Sequence, residues 1–540
     1  IAIGYLALST EDTGGQSTAV GALALRLQNN NAANYNTAVG YNAGGAVTTG
    51  VQNALIGGLA GDALTTGGAN VAVGYLALST EDANSFNTAV GFKALLTQNA
   101  SGNAYNTAVG ANSGQLITTG VRNTYIGGLA GDAATTANDN VGVGYAALSA
   151  AGSGTQNTAV GTGALNVNTN GDNNTAVGRN ALLANTTADS NTAVGFEALV
   201  ANTTGAENVS VGKFALKANT TASSNVAVGV EALLANTTGA ANVAVGTGAL
   251  KSNTTAGRNT AVGNFSLRQN TTGDNNTALG ENSGLATTTG NNNTFIGQDA
   301  GEANTTGDLN VAVGSDALDS NTTADNNTAV GSASLAANTT GTQNTAVGSL
   351  ALDANTTADN NTAVGYGSLS ANTTGTQNVA VGIQSLLANT TGANGTALGV
   401  NALLTNTTGG NNTAVGHSAL KANTTAANNV AVGVNAALAT TTGASNTAVG
   451  TSALSANTTG ANNVAVGTGA LATEDTGGRS VAVGVNALGQ QNVDGNIHNV
   501  AVGHAAGNNV TTGAQNTLIG GLAGDALLAA SDNVAVGFEA

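Results

Sequence analysis

The chain of 540 residues contains no cysteine, proline, methionine or tryptophan, and only 7% of its residues are charged and 3% aromatic. Without cysteine there is no disulfide framework and no thiolate zinc or iron–sulfur site, so the redox compartment leaves no mark on the sequence. With 11 basic against 28 acidic residues the formal net charge is −17, which argues against a basic nucleic-acid surface, and no nucleic-acid partner is expected. His417, His498 and His504 are the only general-base candidates near neutrality, and none has a Ser or Asp partner at a recognisable spacing. The chain therefore reads as a non-enzyme with no catalytic residue and no cofactor.

What is abundant is glycine, 78 residues, accompanied by Ala, Val, Leu, Asn and Thr. Disorder is excluded by the regular recurrence of the apolar residues and the small net charge per residue. A short apolar stretch ending in Gly returns 32 times between Gly4 and Gly537. Of the 31 intervals, 28 are 17 residues and three, ending at Gly40, Gly110 and Gly503, are 19. The run from Gly161 through Gly178, Gly195, Gly212 and Gly229 to Gly484 never slips. A fixed period of this size marks a solenoid.

A typical unit runs from Asn191-Thr192-Ala193-Val194-Gly195 through Ala198-Leu199 to Asn202-Thr203-Thr204-Gly205. Two apolar stretches are separated by turns of Asn, Thr and Gly, which tolerate left-handed or side-chain-bonded backbone and disfavour helix interiors. The pattern predicts an all-β parallel β-solenoid, or β-roll, of 17-residue coils with two short strands per coil. At about 4.8 Å per coil the stack would be a rod roughly 150 Å long. Strand alternation puts Thr192 and Val194 on one face and Ala193 and Gly195 on the other. The first face, with Leu199, is expected to supply the interior. The second, uniformly small, is expected to seal against another chain, because one Val and one Leu per coil is little to set against ordering costs of about 1–2 kcal/mol per residue. Asn stacked on Asn would form amide ladders. Like charges stacked at this spacing repel, which explains why charge is scattered over Glu197, Glu231, Lys217, Lys251, Asp189 and Asp325.

Deviations divide one continuous array, 1–540, into two 70-residue blocks over 1–144, a regular shaft over 145–466 and a third block over 467–540. Each 19-residue interval is followed by two units in which the usual Leu becomes Gly: Gly44 and Gly61, Gly114 and Gly131, Gly507 and Gly524. An apolar residue often returns three positions later, as Val47, Leu64, Ile117, Val510 and Leu527, so core volume is moved rather than lost. A fourth pair, Gly284 and Gly301, has no insertion. The insertions, 29–35, 99–105 and 490–498, are expected to bulge outward. Carboxylate pairs stand at Glu11-Asp12, Glu81-Asp82 and Glu474-Asp475. With Asp62 one coil earlier, Glu81 and Asp82 form the one candidate calcium site, although no EF-hand or calcium-roll signature accompanies it. Eight of the fifteen aromatics directly follow an anchor glycine, among them Tyr5, Tyr41, Tyr75, Phe92, Phe196 and Tyr366, and serve either as a glycan-stacking strip or as local cover for the coil edge.

The strings Asn-Thr-Ala-Val-Gly-x-x-Ala-Leu and Asn-Thr-Thr-Gly resemble the head β-roll repeats of trimeric autotransporter (YadA-like) adhesins, and those of phage tail fibres and bacterial surface fibres. The resemblance covers the whole chain. It implies a homotrimer of parallel chains acting as the non-enzymatic shaft of a long attachment fibre, a surface adhesin or a virion tail fibre. Such a fibre lies outside the cell, on its surface or on a virion, and projects a distal tip toward a host-surface glycan or protein receptor. Two other readings remain open: an ice-, glycan- or mineral-binding solenoid using its Thr and Asn rows, and a solenoid tailspike that degrades glycans. The repeat is already in register at Ile1 and breaks off mid-unit at Ala540, so both native ends are expected to lie outside this sequence.

Overall fold

The computed structural model describes every residue except Asp12 and Gly14; the pair Glu11-Asp12 thus lies partly outside the described residues. The chain is an all-β parallel β-solenoid. It divides into two compact units, Ile1–Thr272 and Gly273–Ala540. Unit 1 carries strands β1 (Ala2–Ile3) to β16 (Thr260–Val262), and unit 2 carries β17 (Thr277–Leu279) to β32 (Val534–Val536). Within each unit every strand pairs in parallel with its sequence neighbours, each residue on its counterpart: Thr175 on Thr192, Ala176 on Ala193, Val177 on Val194. The 19-residue coils keep this register, since Thr18 still faces Thr37 and Val481 faces Val500.

Both apolar stretches of a coil stack on their copies through backbone hydrogen bonds. The first forms the regular strand. The second is bonded coil to coil as well, with Leu199 N donating to Ala215 O at 3.0 Å and Glu197 N to Arg179 O at 3.0 Å. In this stretch Glu197 and Leu199 adopt left-handed φ of 52° and 54°. Each such residue costs roughly 1–2 kcal/mol, a cost carried by the hydrogen bonds and by burial of Leu199.

The two faces of the strand are the reverse of the expectation. Ala193 is fully buried while Thr192 and Val194 are partly exposed, and the same order recurs along both units. Val194 is therefore an outward residue, and the interior is built from Ala193 and Leu199. Alternation alone cannot say which face is inside; the narrow bore of a 17-residue coil decides it, leaving room for one methyl group opposite one leucine. Gly195 lies on neither face. Its φ is 140°, and a Cβ there would sit 2.6 Å from the carbonyl oxygen of Gly212 in the next coil. Gly161, Gly178, Gly212 and Gly229 make the same close approach.

The inward strand position also explains the Leu-to-Gly exchanges. Where the inner Ala is replaced by Leu55, Tyr125, Phe295 or Leu518, all fully buried, glycines stand beside it. A Cβ on Gly44 would meet Leu55 Cδ1 at 2.6 Å, one on Gly61 would meet Leu55 Cδ2 at 2.9 Å, and one on Gly131 would meet the Tyr125 ring at 2.6 Å. Gly301 stands against Phe295 in the same way, which accounts for the pair that lacks an insertion. Val47, Leu64, Ile117 and Val510 fill the rest of the space and are fully buried, whereas Leu527 is half-exposed.

Two rows of buried asparagine close the turns. Asn191 accepts nothing less than a full complement of partners: its N–H donates to Asn174 Oδ1 at 3.0 Å, its Nδ2 donates to Gly205 O at 2.9 Å, and its Oδ1 accepts from Asn208 N at 3.0 Å. Asn202 Nδ2 donates to Asn185 Oδ1 at 3.0 Å and to Gly205 O at 2.8 Å. Both ladders are chains of buried amides in which one amide bonds the next, the second row being interrupted by Thr287 and Thr440.

Replacing Ala193 by Leu should overfill the bore and cost about 1–3 kcal/mol. Adding Leu182→Gly and Leu199→Gly should recover most of that loss, as in the natural Leu55 arrangement. Hydrogen-exchange protection of the surrounding coils reads both outcomes; equal damage in the single and triple variants would contradict the packing described.

Candidate functional site

The row that holds Asn202 changes chemistry in the three 70-residue blocks. Glu81 and Glu474 take the place of the buried Asn, and Gln98 and Gln491 follow one coil later, all fully buried. Glutamine is required there because the insertion widens the turn by two residues, and its longer side chain still reaches across: Asn106 Nδ2 donates to Gln98 Oε1 at 2.7 Å and Asn499 Nδ2 to Gln491 Oε1 at 2.8 Å. The glutamates accept from the coil and from its neighbour. Glu81 takes the N–H and Nδ2 of Asn84 at 3.0 and 3.1 Å. Glu474 takes Gly477 N at 2.6 Å and Gln491 Nε2 at 2.7 Å, and Glu11 takes Gln28 Nε2 at 2.5 Å.

Burial pushes the Glu81 carboxyl up to about 7, against the lowering effect of the Asn84 hydrogen bonds, and burial likewise raises Glu474. The candidate calcium ligands do not converge. Glu81 points inward, Asp82 turns out to accept from the Thr65 hydroxyl, and Asp62, raised by burial, accepts from Ser79 Oγ at 2.6 Å. Among the described residues no group of three His, Cys, Asp or Glu side chains is placed to hold a metal ion. His417, His498 and His504 are all exposed.

The inserted segments turn outward: 31–33, 101–103 and 494–496 are exposed, with Asn34, Ala104 and Ile497 tucked beneath. Tyr75 and Phe92, each following an anchor glycine, stack with ring centres 5.9 Å apart.

The densest functional chemistry lies in unit 1, on the turn that follows the strand, in the coils anchored at Gly178 to Gly263. Side chains one, two and five places after the anchors converge there. Lys217 Nζ pairs with Glu197 at 2.9 Å and Lys251 Nζ with Glu231 at 2.7 Å. Phe196 and Phe214 meet edge to face at 5.4 Å, and Arg179 lies over Phe196 at 5.7 Å. Lys213 and Lys217 both approach the Phe214 ring, at 4.8 and 4.3 Å, and Arg268 lies 4.8 Å from Phe265. Between the coils runs a groove of about 600 Å³ whose walls include Val200, Phe214, Lys217, Glu231 and Leu234. Hydrogen bonding to Lys251 holds the Glu231 carboxyl below the usual range, aided by the charges of Lys213 and Arg268. In unit 2 the same columns carry Asp299, Glu302, Asp316 and Asp319, where burial and then mutual repulsion raise Glu302 and Asp319.

Scattered charge in the sequence thus becomes two local clusters of opposite sign. Arg179, Lys213 and Arg268 escaped the sequence reading; a count of cations along the coil columns would have found them. The fold and site define a parallel β-solenoid repeat protein. No protein-family model matches the chain, and no curated protein matches it.

The raised Glu81 pKa has a definite sign. Between about 4.5 and 7 the folded chain holds a proton that the unfolded chain releases, so local stability is greatest below 4.5 and falls as pH rises through 7. Glu81→Gln should abolish this dependence and protect the adjoining backbone at pH 8.5 by about tenfold or more over the parent, read by hydrogen exchange at matched pH. Identical protection in parent and variant at pH 5.5 and 8.5 would contradict it.

Proposed function

We propose that the chain is the non-enzymatic shaft of a long extracellular attachment fibre, assembled as a homotrimer. The observation that carries this reading is the outward row at the end of every strand. Among the described residues all 32 strands end in Val, Ile or Leu, and each of these side chains is partly or fully exposed. Val160 is 37% exposed, Ile126 41% and Leu398 48%, while Val194 is partly covered. An aliphatic side chain left uncovered in part at every coil forms one contiguous stripe along each unit, the kind of apolar surface that marks an interaction face. The neighbouring Thr/Val row is β-branched and flat, a surface suited to packing on a copy of itself. The contact face is thus the Thr/Val face, in place of the Ala/Gly face to which the sequence pointed.

A stack in which each coil repeats the last supplies length and rigidity, which is what a spacer between an anchor and a binding tip requires. The likeness of the repeats to YadA-like heads and tail-fibre arrays supports a place on a cell surface or virion, with a host-surface glycan or protein as the receptor of the fibre. The outward Thr row offers one observation for an ice- or mineral-binding solenoid, since Thr158, Thr175 and Thr192 stack in line on the partly exposed face. Val209, Val226 and Val243 interrupt that row, and the companion row is aliphatic throughout, so the fibre reading is preferred.

Native mass measurement of the full chain should give three copies, and electron micrographs should show rods. Val160→Lys combined with Val194→Lys should shift the mass toward the single chain. A monomeric parent would defeat the trimer, and thermal hysteresis in ice would favour the alternative.

A further inference from the structure

We propose that the coils from Gly178 to Gly263 carry a lateral binding site for an acidic polysaccharide, a sugar chain bearing carboxylate or sulfate groups. The site is independent of the shaft reading, because it lies within unit 1 and on the turn rather than on the strand face.

Charge distribution is the first support. Of the eleven Lys and Arg residues, five stand on this turn of the six coils: Arg179, Lys213, Lys217, Lys251 and Arg268. Two carboxylates, Glu197 and Glu231, share it, so the turn is net +3 within a chain of net −17. Among the described residues of this turn, Lys217 and Lys251 are paired with carboxylates, whereas Arg179, Lys213 and Arg268 rest on aromatic rings. With Lys217 held by Glu197, Lys213 on the Phe214 ring is the ammonium group there for a bound anion to meet. Cations two coils apart, such as Arg179 and Lys213, are spaced at about 10 Å along the stack, so a linear ligand would meet them in succession.

Shape and polarity supply the rest. The groove of about 600 Å³ has an apolar floor from Val200 and Leu234, a phenyl wall from Phe214 and charged rims at Lys217 and Glu231, the combination of apolar lining and few polar groups that fixes a ligand's orientation. Phe214 lines the groove, where the part of its ring left clear of the cations meets the C–H groups of a sugar, and Glu197 and Glu231 provide acceptors for sugar hydroxyls. A nucleic acid suits the surface less well. Duplex DNA carries a charge every ~1.7 Å, and the acidic remainder of the chain repels so dense an anion. A sugar chain with its acid groups farther apart matches a patch of modest net charge that retains carboxylates.

The test uses the full chain against immobilised κ-carrageenan, which bears sulfate alone, polygalacturonate, which bears carboxylate alone, dextran and a double-stranded oligonucleotide. Saturable, salt-sensitive binding to κ-carrageenan or polygalacturonate is expected, with neither dextran nor the oligonucleotide held as tightly; which acidic polymer wins identifies the acid group. Lys213→Ala with Arg268→Ala should weaken binding about tenfold, and Phe214→Leu should weaken it severalfold, while Lys421→Ala in unit 2 should change nothing. Native-like hydrogen exchange in the variants excludes misfolding as the cause. Failure to bind either acidic polymer, equal loss in Lys421→Ala, or tighter binding of dextran or the oligonucleotide would overturn the proposal.

Discussion

In-register stacking is the constraint from which the rest of this protein follows. Each residue rests on its own copy one coil away, as Ala176 rests on Ala193, so the chemistry of a position is the chemistry of a column. A column must tolerate self-contact at about 4.8 Å. Glycine satisfies this at the anchor, where Gly195 lies against the backbone of Gly212. Asparagine satisfies it because an amide both donates and accepts, and a buried row of amides leaves each member bonded to the next. A row of carboxylates or ammonium groups would not. Lys217 beside Glu197 and Lys251 beside Glu231 bring opposite signs together, whereas Asp299 by Asp316 and Glu302 by Asp319 stack like charges, and there burial and repulsion raise Glu302 and Asp319.

The same constraint governs how the chain departs from uniformity. A two-residue insertion is absorbed in one turn, with Gln98 or Gln491 spanning the wider gap, and the strand register on either side is untouched. A large inward side chain such as Tyr125 or Phe295 is accommodated by deleting the leucine that would meet it, which is the physical content of the paired glycines. The insertion adds an exposed bulge at its turn, whereas the glycine pairs leave the outside of the coil unaltered. The irregular blocks differ from the shaft in that bulge and in what they bury: glutamates in place of amides, and aromatic or aliphatic bulk in place of alanine.

Chemical variety is confined to the columns that the stack leaves free. The strand face is committed to aliphatic residues at every coil, whereas the turn after it varies. In unit 1 that turn gathers cations and phenyl rings; in unit 2 it gathers Asp299, Glu302, Asp316 and Asp319. One scaffold thus presents contrasting local charges without changing its backbone, because side chains on the turn contribute little to the bore and nothing to the asparagine rows.

The repeat length, the coil, the parallel register, the glycine anchors and the amide rows were all legible in the order of residues, since each depends on periodicity or on a residue type with one physical use. Which side of the strand faces inward was not. Alternation is symmetric until the coil closes, and closure in 17 residues left space for Ala193 where hydrophobicity alone favoured Val194. Left-handed leucines were equally hidden, because that conformation is intrinsically unfavourable for leucine and is imposed here by coil-to-coil bonding. The cation and aromatic patch joins residues up to 89 positions apart in the chain, Arg179 to Arg268, and only the stacking of six coils brings them to one surface.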